Sequence, residues 1–559
     1  MEYTWITIGG IVVLVVMAIV NRIRREKELT ESVKKSFGVA PTDSMTLDRY
    51  ASLPAYLKSL PEAEGDIDDI TWNDLDMDRI FESLNHTGSA VGEEVLFAWL
   101  HKPEMRSEEL IRREHLIDLF EHDADARLKA GKVLVRMGKM RRISVYDYMM
   151  RLRDVPKESN LRHYLAFAVY AVSAGMIIAG QEVAGFGLFM MTALFNILTY
   201  LKRKGVIEPY LEVVSYISRW IKSVRVMADE LKDNENPELK EELSSLVKDT
   251  ESFRSFVRMS GLLASSNPTG SVTELVMEYV RMLFHVDLIK FNRIIKDFDT
   301  RQEELNRIFA GTGRIDASRA VASYRCYRKK YAVPILHDTP NHTVKAEAIC
   351  HPLVADPVAN SITADRPVLL TGSNASGKST FLKTLAVNAI LAQTIHTVLA
   401  NGYEADYFKI LSSMALRDDL ATRESYYIVE IRSLKRIMDA AEENISVLCF
   451  VDEVLRGTNT AERIAASSRI LRYLAEKKAL VFAATHDLEL TSLLADVYEN
   501  YHFSEQVEED IVVFDYRLKP GKATSRNALK LLEMMEYPKV ITDDANKAVE
   551  GFLSTGEWN

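Results

Sequence analysis

One short stretch of this sequence restricts the possible fold more than any other. An apolar run at residues 368–370, VLL, leads directly into TGSNASGKST and then into FLKTLAVNAILAQ. The pattern Gly-x-x-x-x-Gly-Lys-Ser between a strand and a helix is typical of a loop that wraps phosphate groups. Gly372 and Gly377 allow the backbone N–H groups to point at a phosphate. We therefore expect an α/β domain that binds a nucleoside triphosphate.

Two side chains of this loop, those of Lys378 and Ser379, have predicted roles in nucleotide binding. Lys378 supplies a positive charge to the β- and γ-phosphates, and Ser379 supplies a hydroxyl to Mg²⁺. The expected cofactors are therefore ATP and Mg²⁺. The residues of the loop that we expect to contact the nucleotide are Gly372, Ser373, Asn374, Ala375, Ser376, Gly377, Lys378, Ser379 and Thr380.

Acidic and imidazole side chains follow two further apolar runs. ISVLCFVDE ends in Asp452 and Glu453, and ALVFAAT is followed by His486. Asp452 is expected to hold the Mg²⁺ shell, Glu453 to orient or deprotonate the attacking water, and His486 to sense the γ-phosphate. The alternatives are that the acidic pair caps the following helix and that the histidine is structural. The three positions together with the phosphate loop predict an ATP hydrolase.

The sequence changes character along its length. Apolar residues recur at helical spacing over 66–163 and 202–329, which predicts an all-α part in two pieces. From 330 to 559 short β-rich runs alternate with helical stretches, which predicts an α/β domain with a largely parallel sheet. Residues 22–65 are polar and contain three prolines, as expected of a linker.

Three apolar segments are long enough to cross a bilayer. Residues 3–20 carry no charge, and the stretch from 164 to 201 divides at Gln181-Glu182 into two halves near the lower length limit. Lys and Arg flank the predicted cytoplasmic end of each segment. This predicts an anchor at 1–21, a transmembrane hairpin at 164–201, and a multi-pass protein of the cell membrane with cytoplasmic domains. The alternative for 164–201 is a buried hairpin in a soluble helical domain.

Composition narrows the choice of partners. The chain has 70 Lys and Arg against 80 Asp and Glu, a net charge of −10, which argues against a generally basic nucleic-acid binder. Hydrophobic residues make up 47%, so membrane segments form only a minor part. The three cysteines lack metal-ligand spacing, and Cys449 is expected to be a small buried hydrophobe.

Four segments together resemble the ATPase domain of the MutS family of mismatch-repair proteins. They are TGSNASGKST, RDDLATRESYYIVE, FVDEVLRGTNTAER and AATHDLEL, in the order and spacing of that family. LNHTGSAVGEEVLFAWLHKP at 84–103 similarly resembles the start of the family's helical core, or lever, domain. The resemblance implies an ABC-type P-loop ATPase domain, with a C-terminal dimerisation segment, joined to an all-α lever.

The resemblance also implies a homodimer whose ATPase domains share two nucleotides. Ser425 would then be the signature serine that reaches the partner's γ-phosphate. Asn459 and Thr460 would lie in the loop that crosses the dimer interface, and His351 would lie near the adenine. The alternative is that these are polar residues in surface turns.

The sequence departs from the family pattern at several positions. Leu455 stands where the family usually has Gly, Ala375-Ser376 where it has Met-Gly, and Tyr426-Tyr427 where it has Thr-Phe. None of these changes removes a phosphate or metal ligand. Residues 21–65 offer too little room for the mismatch-reading domain, which needs roughly a hundred residues.

Two basic clusters, at 136–142 and 325–330, could contact DNA phosphates in a sequence-blind way. The first reading of the chain is thus a membrane-anchored MutS-like ATPase that works as a dimer and binds mismatched or branched DNA. The second is a membrane ABC-type ATPase that acts on a protein or lipid partner without DNA. An ABC transporter is disfavoured, because LSGGQ is absent and the predicted spans interrupt the lever.

Overall fold

The structure, a computed structural model, describes most of the 559 residues. The described ranges are 2–41, 45–140, 142–155, 158–260, 272–339, 341–373, 376–414, 426–456, 458–477, 479–508, 511–523, 529, 532–533 and 535–555.

The chain folds into two compact units. The first comprises Met1–Pro61, Asn85–Ala98 and His115–Tyr327, and the second comprises Glu62–Leu84, Trp99–Glu114 and Arg328–Asn559. The sequence-based boundaries divide the chain differently, since they place all of 66–163 in one helical segment. Short pieces of that segment fold with the C-terminal region instead.

The part before residue 330 is helical. Its helices are α1 (Glu2–Ser36), α2 (Leu47–Ser52), α3 (Pro54–Leu57), α4 (Asp69–Asp74), α5 (Met77–Leu84), α6 (Ala90–His101), α7 (Ser107–His122), α8 (Ala124–Met137), α9 (Val145–Arg151), α10 (Leu161–Ile178), α11 (Glu182–Glu230), α12 (Pro237–Glu251), α13 (Arg254–Ser260), α14 (Val272–Phe284), α15 (Val286–Asp299) and α16 (Gln302–Arg328).

The part after residue 330 alternates strands and helices. Its elements are β1 (Ile335–His337), β2 (Val344–Ile349), β3 (Asn360–Ala364), β4 (Val368–Thr371), α17 (Lys378–Ile395), β5 (Gly402–Asp406), β6 (Lys409–Ser413), α18 (Tyr426–Glu442), β7 (Val447–Asp452), α19 (Thr460–Ala475), β8 (Ala479–Thr485), α20 (Leu488–Leu493), β9 (Glu499–His502), β10 (Glu505–Glu508), β11 (Ile511–Phe514), β12 (Lys519–Pro520) and α21 (Lys539–Thr555).

A six-stranded sheet forms the centre of the second unit, in the order β12-β9-β4-β8-β7-β6. Its strands run parallel from β9 to β6, and only β12 is antiparallel to its neighbour. β4, β7 and β8 are almost continuously apolar and buried, as expected of parallel strands that are covered on both faces. Cys449 of β7 is fully buried among these side chains, as its sequence context predicts.

A second sheet of four strands has the order β1-β5-β2-β3; three of its strands precede the phosphate-loop strand β4, and β5 follows α17. β1 and β5 are parallel, whereas β2 is antiparallel to both of its neighbours. β10 and β11 form a separate antiparallel pair. The sequence prediction of an α/β domain with a largely parallel sheet therefore holds for the central sheet.

The first unit is built from helices around α16 and the C-terminal part of α11. Trp220 of α11 is fully buried and donates a hydrogen bond from its indole nitrogen to the Thr312 hydroxyl of α16, at 3.0 Å. The Asp316 carboxylate of α16 accepts hydrogen bonds from the N–H groups of Gly88 and Ser89 just before α6. These buried bonds tie segments together that lie far apart in sequence.

α10 and the first half of α11 form a hairpin with an apolar surface. The Ser173 hydroxyl donates to the Gly185 carbonyl at 2.7 Å, and a Cβ atom at Gly185 would lie 2.7 Å from Ile177 Cγ1. Small residues thus allow the two helices to approach closely. The outer side chains are exposed, for example Ile178 at 87% and Val183 at 90%.

Two helical stretches are long and apolar enough to span a membrane, Leu161–Ile178 and Glu182–Glu208. Only 11% and 22% of these stretches are buried, which disfavours the alternative of a buried hairpin in a soluble domain. The third predicted span, residues 3–20, lies in α1, and most of its side chains fall outside the described part of the structure. The described residues thus support two apolar helices, and the third span stays a prediction.

The basic clusters are smaller than the sequence suggested. In the cluster at 325–330, Arg325 is 1% exposed and pairs with Glu121, so its guanidinium is not available to a DNA phosphate. In the cluster at 136–142, Arg136 pairs with Glu26. Arg325 therefore does not serve as one of the phosphate contacts expected of the cluster at 325–330, because burial and a partner carboxylate remove its charge from the surface.

Candidate active site

The loop between β4 and α17 has the backbone that its glycines predict. Gly372 and Gly377 have φ angles of 149° and 103°, a region that disfavours side chains. A Cβ atom at Gly372 would lie 2.8 Å from the Phe503 carbonyl oxygen, so only glycine fits there. Asn374 and Ala375, which the sequence assigns to the nucleotide, lie outside the described residues.

Lys378 begins α17 and folds back over the loop. Its ammonium donates to the carbonyl oxygens of Gly372 and Ser373 at 2.8 and 2.9 Å. The same nitrogen lies 3.4 Å from His486 Nε2. The Lys378 ammonium is thereby held beside the loop and close to His486 at the end of β8.

Asp452, the last residue of β7, meets the phosphate loop through Ser379. The Ser379 hydroxyl hydrogen-bonds to the Asp452 carboxylate. Burial raises the pKa of this carboxyl, and the bond from Ser379 opposes that rise. Asp452 Oδ1 is buried and has no hydrogen-bond partner among the described residues. A hydroxyl beside a carboxylate with an unsatisfied oxygen is a donor set that suits Mg²⁺.

The described residues contain no group of three or more His, Cys, Asp or Glu side chains that could hold a metal ion alone. Two protein oxygens are nevertheless enough for Mg²⁺, which typically keeps waters and takes further ligands from substrate phosphates. The pair Ser379 and Asp452 therefore fits a metal that arrives with a nucleotide.

Glu453 is held in a strained turn directly after β7. Its φ angle is 57°, and its N–H donates to the Ala484 carbonyl at 2.9 Å, so the turn is fastened to the end of β8. Its carboxylate lies 2.6 Å from His486 Nε2 and 3.0 Å from Arg456 Nε. The bond to His486 lowers the pKa of Glu453. At neutral pH the side chain is therefore a carboxylate and a weak proton acceptor.

A buried glutamate, Glu430, stabilises the turn that follows β7. Glu430 of α18 accepts hydrogen bonds from the N–H groups of Leu455 and Arg456. Leu455, which stands where the family usually has glycine, has a φ angle of 59° and is 6% exposed. The chain thus keeps the backbone conformation that favours glycine at this position, stabilised by the bond to Glu430 and by burial of the leucine.

A cavity of about 300 Å³ opens beside these groups, lined by Glu453, Val454, Arg456, Arg463, Thr485, His486 and Asp487. Arg463 of α19 forms two hydrogen bonds with Asp487, at 2.8 and 2.5 Å, and so fixes the segment that carries His486. Sequence reasoning did not identify Arg463 or Glu430. Both lie within the four motif segments, but their roles depend on contacts between distant segments.

A second cavity, of about 370 Å³, lies on the other side of the loop and includes His351 and Gly377 in its lining. His351 is 9% exposed, its Nδ1 accepts the Leu353 N–H at 3.1 Å, and burial lowers its pKa to about 4. Tyr516 also lines this cavity, and its ring would lie 3.2 Å from a Cβ at Gly377. His351, Gly377 and Tyr516 thus line one cavity, and Tyr516 is an aromatic residue that sequence reasoning missed. The expected place of His351 near the adenine stays a prediction.

The residues predicted for the dimer interface are not brought to this site. Asn459 caps α19, and its side-chain oxygen accepts the Ala461 N–H at 3.0 Å. Thr460 is the first residue of the same helix. Ser425 lies outside the described residues. Within one chain Asn459 has a capping role, and its expected role toward a partner stays a prediction.

The side chains of Lys378, Ser379, Asp452, Glu453 and His486 meet because β4, β8 and β7 are neighbouring parallel strands. Their carboxyl ends lie at one edge of the sheet, which is where ligands bind in open α/β sheets. The fold and the site therefore define an α/β domain with a phosphate-loop sequence and an acidic cluster at the carboxyl edge of a parallel sheet.

Comparison with known proteins agrees with this description. Residues 368–552 match the family model of MutS domain V. The DNA mismatch repair protein MutS of Natronomonas pharaonis is 30% identical over 303 residues, which are 51% of this chain and 34% of that protein. The protein of the same name from Thermus thermophilus is 30% identical over 251 residues, 43% of this chain and 31% of that protein. DNA mismatch repair protein MutS 2 of Haloarcula marismortui is 33% identical over 221 residues, 37% of this chain and 23% of that protein.

Residues 368–552 are thus a MutS domain V by the family match, and up to about half of the chain is similar to proteins named MutS at about 30% identity. The chain spans about a third or less of the length of these curated relatives.

Proposed function

We propose that this protein is a membrane-anchored MutS-family ATPase that binds and hydrolyses ATP as a homodimer and binds mismatched or branched DNA. The observation that carries the ATPase part is the meeting of Lys378, Ser379, Asp452, Glu453 and His486 at one sheet edge. The family match spans all five residues. The relatives' names support the DNA part, since each is called a DNA mismatch repair protein.

The proposed binding step uses the loop and the helix behind it. The phosphates lie against the N–H groups at the start of α17, where the partial charges of the helix end favour an anion. Lys378 leaves the carbonyl oxygens of Gly372 and Ser373 and bonds to the phosphates. The adenine occupies the cavity between His351 and Tyr516. A neutral His351 suits this place, because a base ring is uncharged and stacks on a flat surface.

Ser379 and Asp452 would hold Mg²⁺ in the proposed complex, and the ion would neutralise charge on the phosphate oxygens. The unsatisfied Oδ1 of Asp452 supports this assignment.

In the proposed hydrolysis Glu453 orients the attacking water instead of acting as a strong base. Its lowered pKa, caused chiefly by the bond from His486, makes its carboxylate a poor proton acceptor but a persistent hydrogen-bond acceptor. His486 lies between Glu453 and Lys378 and can bond to the γ-phosphate when the lysine moves. Together these groups place donors and charge where the phosphoryl group is transferred.

The membrane part of the proposal rests on the α10–α11 hairpin. Its outer side chains are apolar and exposed, and a lipid bilayer would remove that surface from water. The proposed topology has three spans, with α1 as the first, and leaves the rest of the first unit and the second unit in the cytoplasm. Basic residues on the cytoplasmic flanks agree with it.

DNA binding by the full chain in detergent tests the proposal against its alternative, a membrane ATPase that acts on a protein or lipid partner. Mismatched, branched and perfectly paired duplexes are compared with ATP and with ADP, from about 50 to about 200 mM salt. We expect retention of mismatched or branched duplex at low salt and its loss as salt rises. If no duplex is retained at any salt concentration, the DNA part is wrong and the alternative stands.

A further inference from the structure

A cavity of about 420 Å³ lies within the first unit, apart from the site already described. The end of α1, the segment before α6, the end of α8 and the middle of α16 enclose it. It is lined by Ser32, Lys35, Ser36, Val39, Ala40, Pro41, Asn85, His86, Thr87, Gly88, Val135, Lys139, Arg319 and Ser323. None of these lining residues is acidic, whereas three are Lys or Arg.

The feature that points to a ligand is the buried side chain of Arg319. It lies in α16 and is 3% exposed, yet its Nε–H has no acceptor among the described residues. Buried arginines are almost always paired, because an isolated charge in a protein interior is very costly. Arg319 therefore keeps a buried N–H donor without an acceptor among the described residues, although the charge of Asp316 acts on its guanidinium.

The Asp316 carboxylate does not accept the Nε–H of Arg319. Asp316 lies one turn earlier in α16, but its carboxylate is bonded to the N–H groups of Gly88 and Ser89 and to the Ser89 hydroxyl. These three donors already bond to this carboxylate. Burial lowers the pKa of Arg319, and Asp316 only partly opposes that effect.

Further donors point to the same space. Lys139 lies 3.3 Å from both Glu93 and Asn85, so its charge is held at the cavity edge. Lys35 of α1 is exposed and also lines the cavity. The Ser323 hydroxyl, bonded to the Gly38 N–H at 3.0 Å, adds a polar group beside Arg319.

We propose that this cavity binds a small phosphorylated molecule, with its phosphate held by Arg319, Lys139 and Lys35. A doubly charged phosphate offers enough acceptor oxygens for three cationic donors, and arginine binds phosphate through paired N–H groups. The volume is within the range of small-molecule sites and leaves space for an organic group beyond the phosphate. Val39, Pro41 and Val135 provide an apolar wall for that group.

The test uses the full chain in detergent with Lys378→Ala, which removes the phosphate loop as a competing site. The probes are inorganic phosphate and ribose 5-phosphate, with ribose and with sodium chloride of equal ionic strength as controls. We expect both phosphates, but neither control, to raise the thermal midpoint, and ribose 5-phosphate to bind more tightly than phosphate. Equal midpoints in phosphate and in chloride would overturn the proposal.

Two substitutions locate the binding. Lys35→Ala should raise the dissociation constant for ribose 5-phosphate about ten-fold, since one charge-assisted hydrogen bond to phosphate contributes on that scale. Lys34→Ala is the matched control, because Lys34 is exposed on the same helix turn and does not line the cavity. Arg319→Met should abolish the response, and Lys139→Met serves in its place if that variant fails to fold. Equal losses for Lys34→Ala and Lys35→Ala, or unchanged binding in both methionine variants, would refute the site.

Discussion

At the carboxyl edge of the central sheet, polar side chains from three neighbouring strand ends are joined by hydrogen bonds of 2.6 to 3.4 Å. The α10–α11 hairpin, in contrast, presents aliphatic and aromatic side chains along two helices and has few polar contacts. Its best-defined polar bonds run from Ser173 to Gly185 and from Asn196 to Leu283. The first region depends on the position of individual atoms, and the second on the total apolar area that leaves water.

This difference predicts opposite responses to mutation. At the sheet edge, removal of one carboxylate or ammonium is expected to lower activity strongly, because no neighbouring group can form the same bonds. In the hairpin a single conservative change has little effect, whereas a charge placed in the middle of a span is costly.

A loss of ATP binding is expected for Lys378→Ala, which removes the cation that bonds to the carbonyl oxygens of the loop. ATP binding should weaken by about 100-fold or more, since a charge-assisted bond to phosphate contributes up to about 3 kcal/mol. Titration calorimetry measures it, with Lys409→Ala, which breaks an ion pair with Glu443, as the control. Unchanged ATP affinity would remove Lys378 from the site.

Glu453→Gln should keep ATP binding and lower kcat about 10²- to 10⁴-fold, because the amide cannot accept the same hydrogen bonds from water and His486. Single-turnover hydrolysis separates this loss from any change in affinity. Glu443→Gln changes a carboxylate that is half exposed and should leave kcat unaltered. A normal kcat in Glu453→Gln would show that another group orients the water.

The shared-site dimer is tested by mixing two inactive variants, Ser425→Ala and Lys378→Ala. A mixed dimer contains one site with an intact lysine on one chain and an intact serine on its partner. Hydrolysis should therefore return in the mixture and be absent in each variant alone. Full activity of Ser425→Ala alone, or no recovery on mixing, would argue against a serine supplied by the partner.

Charges placed in the hairpin test the membrane proposal. Met191 and Leu194 are 69% and 59% exposed on α11, and replacing both by Arg should cost about 5 to 7 kcal/mol of insertion free energy. Val226→Arg, on the same helix and 42% exposed, is the matched control. Carbonate extraction should move the double variant, but not the control, out of the membrane fraction. A wild-type chain in the soluble fraction would contradict the membrane proposal directly.

The smallest effect concerns His351. Its pKa is lowered from 6.5 to about 4 by burial, so between these pH values the unfolded chain binds the proton more readily than the folded chain. Stability should therefore fall by about 3 kcal/mol as pH decreases from 6.5 to 4. His351→Asn should flatten this part of the curve of urea midpoint against pH, because the titrating group is gone. An unchanged slope would place His351 in solvent.

Much of the site could be predicted from sequence, for identifiable reasons. Gly372 and Gly377 are required by backbone angles, and Asp452, Glu453 and His486 follow buried strands whose parallel order brings their ends together. Such features are encoded within a few residues. Glu430, Arg463 and Tyr516 could not be assigned in this way, because each acts by contacting a segment distant in sequence.

In the helical region, too, some features could be predicted from the sequence and others could not. Hydropathy alone predicted two apolar helices near 164–201, since a helix that crosses hydrocarbon needs a minimum apolar length. The basic cluster at 325–330 suggested that Arg325 is a surface charge, but Arg325 is buried and pairs with Glu121. Exposure of a charged side chain depends on packing, and residue type does not reveal it.

The sequence by itself determined the phosphate loop, the acidic and imidazole residues at the strand ends, and the two long apolar helices of the hairpin. These follow from local requirements of backbone angle, strand burial and helix length. Only the tertiary structure decided that Glu430 bonds to the strained turn, that Tyr516 covers Gly377, and that the buried Nε–H of Arg319 has no acceptor among the described residues. Each of these depends on close packing between distant segments, which short sequence patterns do not specify.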